Sequence, residues 1–434
     1  MNQPIYNRRN EILLLLALFI FLGCNNSKNT PPFPILENEY RQPIIKSFEF
    51  SKPDTLKWTT QDPSKIKSLP TKKFDWAKLP AKTFDIGIPH KLKKPLATKA
   101  LDWKNLPATP FNLDSLPVNE LRIKVTPLGV PMMSKAGYPA SIANTTRGVM
   151  GVDFNFGLPG APHSLLKNKT GMLWFGTTGS IAKYDSESIE IYGSEQGLDI
   201  GVVYSLFEDS KGRLWVGNTK NTITVIDFEA QLVFELSSSF ELGTIYGIME
   251  AKDGTFWFSN NGYGYNNIDL GRKTIRQFDT DHGLLNTFTI TPFQDRDGLI
   301  WLSTAEGINI LSLKERTNRT LTTQNGLLSN VTVAFFQDQE DRLWIGNVLG
   351  VSIINGSKTE ISYFTEEQGL DGIGQITDIF KDRVGNLWIG SDNGMLFSYS
   401  EPSATLERYV ISNNRSQVVY NTLEDAQGQI WTAI

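Results

Sequence analysis

One cysteine in 434 residues excludes an intramolecular disulfide framework and any zinc centre built on paired CxxC motifs. Histidine is nearly as scarce. His90, His163 and His282 have no partner four residues on and no HExxH spacing, so none reads as a metal ligand. The sequence contains no G-x-S-x-G elbow, no phosphate-binding loop and no kinase motif, and Gly262-Tyr263-Gly264-Tyr265 is too short for a phosphate cradle. These absences point away from catalysis, and no cofactor is expected. No apolar run reaches the roughly 20 residues that a bilayer span needs. The longest, Ile12 to Leu22, follows Arg8 and Arg9 and reads as the core of a signal peptide over residues 1–23.

Charge and punctuation are unevenly spread. Cys24 to Lys135 holds 19 Lys/Arg against 10 Asp/Glu, whereas Ala136 to Ile434 holds 21 against 35. A basic segment of net +9 thus precedes an acidic one of net −14. Fifteen of the 21 prolines lie in the first and 33 of the 36 glycines in the second, as expected of an extended linker (24–148) before a turn-rich β domain (149–434). The linker carries its own 27-residue repeat. Phe74-Asp75-Trp76-Ala77-Lys78-Leu79-Pro80-Ala81 returns as Leu101-Asp102-Trp103-Lys104-Asn105-Leu106-Pro107-Ala108, and Phe84-Asp85-Ile86 as Phe111-Asn112-Leu113. Frequent proline disfavours helix, and aromatics at fixed places suggest a ribbon docked on the acidic domain; a flexible tether is the alternative. Export from the cytoplasm removes nucleic acid as a partner for the lysines.

The fold is written in tryptophan. Trp174, Trp215, Trp257, Trp301, Trp344, Trp388 and Trp431 recur at gaps of 41 to 44 residues. Three positions before each stands glycine, with Asp341 the exception, and six before stand Asp209, Asp295, Asp338, Asp382 and Asp425; Asn168 and Ala251 depart from the pattern. The unit D-x-x-G-x-[LIF]-W describes a tight hairpin in which aspartate caps the turn and glycine supplies a positive φ. Four short strands in each unit, repeated radially, predict an all-β, seven-bladed β-propeller. Gln429 to Ile434 ends in the second strand of the seventh unit, so the last blade is expected to lack its outer strands. Val149 to Phe154 suits an outermost strand that would partly complete it, and the chain reads as the N-terminal part of a longer protein.

Gly197-Leu198, Asp209, Gly212-Arg213-Leu214-Trp215-Val216-Gly217 and their six counterparts resemble the two-component regulator propeller repeat. The resemblance covers about 280 residues. It implies an extracytoplasmic sensor region, followed in the family by further modules, a membrane span and a signalling output. Phe21-Leu22-Gly23-Cys24 resembles the lipobox of bacterial lipoproteins, which implies a lipidated Cys24 and anchorage to a membrane of the cell envelope; an ordinary secretory signal is the alternative.

The turn aspartates fall one per blade at the same hairpin and read as caps, not as a carboxylate array. Binding is expected at one rim of the central channel, where the loops before the first strands gather with the loops after the tryptophan strands. These offer Asn218 and Lys220, Asn260 and Asn261, Asn347, and Asp392 and Asn393. The third blade adds Tyr263 and Tyr265, of which pleating lets only one face inward; aromatic faces beside amides suit an oligosaccharide or other small ligand, and a plain polar hairpin loop is the alternative. A protein-interaction scaffold at the membrane is the main alternative to a sensor. A propeller lyase is another, since streptogramin lyases resemble these repeats.

Overall fold

The computed structural model describes residues 89–137, 140–141, 149–152, 156–410 and 418–433. Residues 1–23, read from the sequence as a signal peptide, Cys24 and the first copy of the linker repeat, including Trp76, lie outside them. The chain divides into two units, Met1–Ala81 and Lys82–Ile434, and the described residues belong to the second.

Each blade grows from its D-x-x-G turn. In blade 2, Asp209 Oδ1 accepts the backbone N–H groups of Lys211 and Arg213 at 2.9 Å each, while Oδ2 accepts the indole N–H of Trp215 at 2.9 Å. Aspartate and indole pair likewise in blades 4 to 7, at 3.0, 2.8, 2.9 and 2.7 Å. The caps thus tie each hairpin to the buried ring beside it. Burial pushes the Asp209 and Asp338 carboxyls up, but bonds from indole, arginine and backbone outweigh it and hold both below the usual range. At the turn apex Gly212 has φ +78° and Gly385 +93°, and Asp341 takes the same left-handed region at +59°.

Blade 3 lacks this device because Ala251 stands where the aspartate should. The buried Trp257 Nε1 accordingly has no partner among the described residues. Ala251→Asp should supply the acceptor that five other blades possess and raise stability by about 1 kcal/mol, read as a higher midpoint in chemical denaturation. A lower midpoint would mean that the apolar neighbours of residue 251 cannot admit a carboxylate.

Seven sheets form the ring, and their first strands follow one another as neighbours until the seventh meets the first. These strands are Ser164–Lys167, Val203–Glu208, Ile248–Glu250, Thr289–Gln294, Thr332–Gln337, Ile376–Lys381 and Thr422–Glu424, for blades 1 to 7. The tryptophans of the second strands fill the spaces between blades; Trp215, Trp257 and Trp301 are fully buried.

Blade 7 differs from the expectation. Val149–Val152 is not outermost: it pairs in parallel with Ile430–Ala433, placing Met150 opposite Trp431, as the third strand of the sheet. Ala140–Ser141 pairs beyond it as the fourth. The chain reaches blade 7 from the N-terminal side after passing blade 1, so its third strand runs parallel to the second where a hairpin would run antiparallel.

The proline-rich segment forms a belt. His90–Lys91, Ala97–Ala100, Ala108–Pro110, Val118–Glu120, Arg122–Pro127 and Met132–Lys135 add a fifth, outer strand to blades 6, 5, 4, 3, 2 and 1 in that order. Each pairs antiparallel with a blade's fourth strand. Between strands, Leu101, Leu106, Phe111, Leu116, Leu121 and Leu128 are 2 to 8% exposed and plug the junctions between blades. Trp103 lies 5.7 Å from Trp301 and Phe111 5.2 Å from Phe278, between ring centroids. The charges agree in sign: Lys93, Lys94 and Lys124 pair with Asp371, Glu367 and Glu235. Exposed pairs of this kind contribute little, so the buried leucines hold the belt.

Candidate functional site

The loops after the second strands and the starts of the first strands meet on one face of the ring. His163 N–H bonds to Gly176 O at 2.8 Å, Ile245 N–H to Asn218 O at 3.2 Å and Val419 N–H to Ser391 O at 3.0 Å. The expected loop residues do lie on this face, but most are committed to holding their own loops.

Asn218, Asn260 and Asn347 are fully buried at the position three residues after the tryptophan. Asn218 Oδ1 accepts Lys220 N–H at 2.7 Å, Asn347 Oδ1 accepts Leu349 N–H at 3.0 Å, and Asn260 Nδ2 donates to Glu241 O at 2.6 Å. Thr177, Thr304 and Ser391 fill the same position elsewhere, bonding across their loops to Ser180 O, Gly307 O and Met395 O. The column caps loops, because the second strand ends there and its turn needs a side-chain partner. Tyr265 is the inward tyrosine, but inward here means the core between blades. It is fully buried, with its hydroxyl 2.9 Å from Ser303 O and 3.1 Å from Thr291 O, and it does not reach the rim. Tyr263 is 43% exposed at the loop tip. Lys220 is exposed and pairs with Asp199 at 3.3 Å. Asp392 accepts Gln375 N–H at 2.9 Å, its carboxyl raised by burial, and Asn393 donates to Gly372 O at 2.7 Å. Asn261 differs in that its side chain lies beside the Tyr246 hydroxyl.

That contact leads to the site. Eleven residues before the seven tryptophans stand His163, Tyr204, Tyr246, Ile290, Val333, Thr377 and Tyr420. All seven are half-buried, while the residue before each is buried, so the pleat turns this column toward the channel. On blades 7, 1, 2 and 3 the column makes a continuous arc of rings. His163 lies 5.3 Å from Tyr420 and 5.7 Å from Tyr204, and Tyr204 lies 5.0 Å from Tyr246, between centroids. On blades 4 to 6 it is aliphatic or small. The mouth is therefore lopsided, with aromatic faces and hydroxyls along one side.

Burial disfavours the charged forms of His163, Tyr246 and Tyr420. Burial holds His163 below its ordinary value; Nδ1 has no partner among the described residues, and Nε2 lies 3.4 Å from Thr178 Oγ1. Burial first, and the neighbouring Tyr204 second, push Tyr246 up to about 12 and raise Tyr420. Flat aromatic faces with hydroxyls at their edges suit stacking against a ring-shaped, uncharged ligand. Among the described residues no group of three His, Cys, Asp or Glu side chains could hold a metal ion.

One carboxyl lies close behind this column. Asp378, next to Thr377, accepts Thr422 N–H at 2.5 Å from blade 7, and burial pushes it up to about 6. The folded value exceeds the unfolded one, so its contribution is fully present below about pH 4 and is lost as pH rises through about 6. Asp378→Asn should therefore stabilise the fold at pH 7.5 and have little effect at pH 4. The expected gain is about 1–2 kcal/mol, because the residue is still partly open to water. Equal effects at both pH values would contradict the assignment.

Residues 197–220 and 371–393 match the two component regulator propeller family, and the chain carries this repeat. Among solved structures, it resembles the extracellular domain assigned to a hybrid two component system of B. thetaiotaomicron, at 21% identity and a TM-score of 0.55. The match covers 70% of this chain and 40% of that one, so the chain spans about two fifths of that domain's length. A streptogramin B lyase matches at 15% identity and a TM-score of 0.52, covering 73% of this chain and 95% of the lyase. Virginiamycin B lyase from Staphylococcus aureus gives 17%, 0.52, 73% and 96%. At these identities the likeness is one of fold. No curated protein matches in sequence.

Proposed function

From a seven-bladed ring of two component regulator propeller repeats, we propose a sensing module of a membrane-associated signal-transduction regulator, acting outside the cytoplasm and binding without catalysis. The arc of His163, Tyr204, Tyr246 and Tyr420 carries this reading. Four rings from four blades are held half-open at the channel mouth, in a column that needs no aromatic for packing, since Ile290, Val333 and Thr377 serve elsewhere. The ligand class is an uncharged oligosaccharide, stacked on the arc with the hydroxyls and Asn261 fixing its orientation. Cys24 would carry the lipid anchor, and signalling modules C-terminal to the propeller would carry the output. Among the described residues no helix is long and apolar enough to cross a membrane.

Calorimetric titration of the full chain with neutral oligosaccharides tests the reading. At least one should bind, and Tyr204→Ala or Tyr246→Ala should weaken it about ten- to a hundredfold. Binding that both variants leave unchanged would move the site elsewhere, and no binding at millimolar concentration would favour a protein-interaction scaffold. A lyase is supported by one observation: among the described residues His163 is the histidine at the mouth of a ring that matches streptogramin B lyase over most of its length. Consumption of a streptogramin B by the full chain, lost in His163→Ala, would establish that reading instead.

A further inference from the structure

At the opposite mouth, where the first strands end, a repeated hydrogen bond joins most blades to the next. The backbone N–H five residues before a tryptophan is accepted by the side chain seven before the next. Lys169 N–H bonds to Glu208 at 2.7 Å, Ser210 to Glu250 at 2.6 Å, Lys252 to Gln294 at 2.8 Å, Arg296 to Gln337 at 2.9 Å and Arg383 to Glu424 at 2.7 Å. Five junctions of seven use a carboxylate or amide oxygen this way. At the other two the acceptor position holds Lys381 and Lys167, and the corresponding N–H groups belong to Gln339 of blade 5 and Ala426 of blade 7.

A cavity of about 580 Å³ opens beside these two lysines. Leu165, Phe380 and Leu423 contribute apolar wall, and Lys167, Lys381 and Arg383 bring cations. The acids beside them are engaged. Asp382 holds its own turn and the Trp388 indole, and Glu424 pairs with Arg383 at 3.2 Å. Lys167 Nζ donates to Glu424 O, and Lys381 Nζ reaches Glu340 at 4.0 Å. Among the described residues nothing accepts from Gln339 N–H.

We infer that this cavity binds a small organic anion through a carboxylate, which takes the place that Glu208, Glu250 and Glu424 side chains occupy at their junctions. The carboxylate accepts from Gln339 N–H and from the ammonium of Lys381, with Lys167 and Arg383 setting the sign of the field. The size suits a molecule about as large as one or two sugar rings. This site lies at the other end of the channel from the aromatic arc and does not depend on the reading proposed for it.

Titration of the full chain at low salt with glucuronate, glucose and inorganic phosphate tests the inference. Glucuronate should bind at least about tenfold more tightly than glucose, and more tightly than phosphate. Lys381→Gln installs the amide used at Gln294 and Gln337, so it should fill the acceptor position from within, raising the melting temperature and weakening glucuronate about tenfold or more. Lys167→Gln should weaken it also, which keeps the test decisive if the first variant folds poorly. Equal affinity for glucuronate and glucose, or glucuronate binding unchanged in both variants, would overturn the site. Tighter binding of phosphate would overturn the carboxylate assignment.

Discussion

Trp344→Ala should lower the unfolding free energy by about 3–5 kcal/mol. The ring is 2% exposed and packs among Ile376, Ile379, Ile389 and Phe397 of the neighbouring blade. Its indole N–H donates to Asp338 at 2.8 Å, and the Arg342 guanidinium sits 5.4 Å above it. Truncation thus leaves a cavity and also deprives a buried carboxylate of a donor, two losses that add in the same direction. Tyr263→Ala at an exposed loop tip should change stability by no more than about 0.5 kcal/mol. Denaturant titration of both variants checks the contrast. Similar small losses would mean that the repeat tryptophans do not hold the blades together.

Removing the belt should cost more than any point substitution. Burial of a leucine or phenylalanine contributes about 1.5–3 kcal/mol, so the six plugs from Leu101 to Leu128 together reach on the order of 10 kcal/mol before the entropy of ordering the belt is deducted. That is comparable with the whole stability of an ordinary domain. A chain begun at residue 129 keeps the seven blades but exposes the Trp103 seat on Trp301 and the fourth-strand edges of blades 2 to 6. It should unfold at markedly lower denaturant, over a broader transition, and aggregate through its open edges. A sharp transition at the same midpoint as the full chain would show the belt to be dispensable.

The ring was legible because its strongest signal, tryptophan six residues after aspartate, reflects one hydrogen bond repeated in five blades. The belt was legible only as a ribbon with docking aromatics. Its strand Ala97–Ala100 is exposed at every residue, so no alternation of apolar and polar marks it. What does mark it is the five-residue spacing of Leu101, Leu106, Phe111, Leu116 and Leu121, which corresponds to neither helix nor strand. It is the spacing of corners between blades. In the polar loops asparagine reads equally as ligand donor or loop cap, and the structure shows Asn218, Asn260 and Asn347 bonded within their loops. His163, Tyr204, Tyr246 and Tyr420, the rings proposed to bind, carry no mark of their own, because each is unremarkable in its own blade. Only the column eleven residues before the tryptophans brings them together, and the same alignment brings Lys167 and Lys381 into the column of acceptors.

Amide hydrogen exchange of the full chain, with and without a bound oligosaccharide, tests the central claim most directly: that the aromatic arc is the working mouth of the ring. Ligand should slow exchange at the starts of the first strands of blades 7, 1, 2 and 3, around Tyr420, His163, Tyr204 and Tyr246, and leave the corresponding residues of blades 4 to 6 nearly unchanged. Protection confined to the 260–265 loop, or spread evenly around all seven blades, would contradict it.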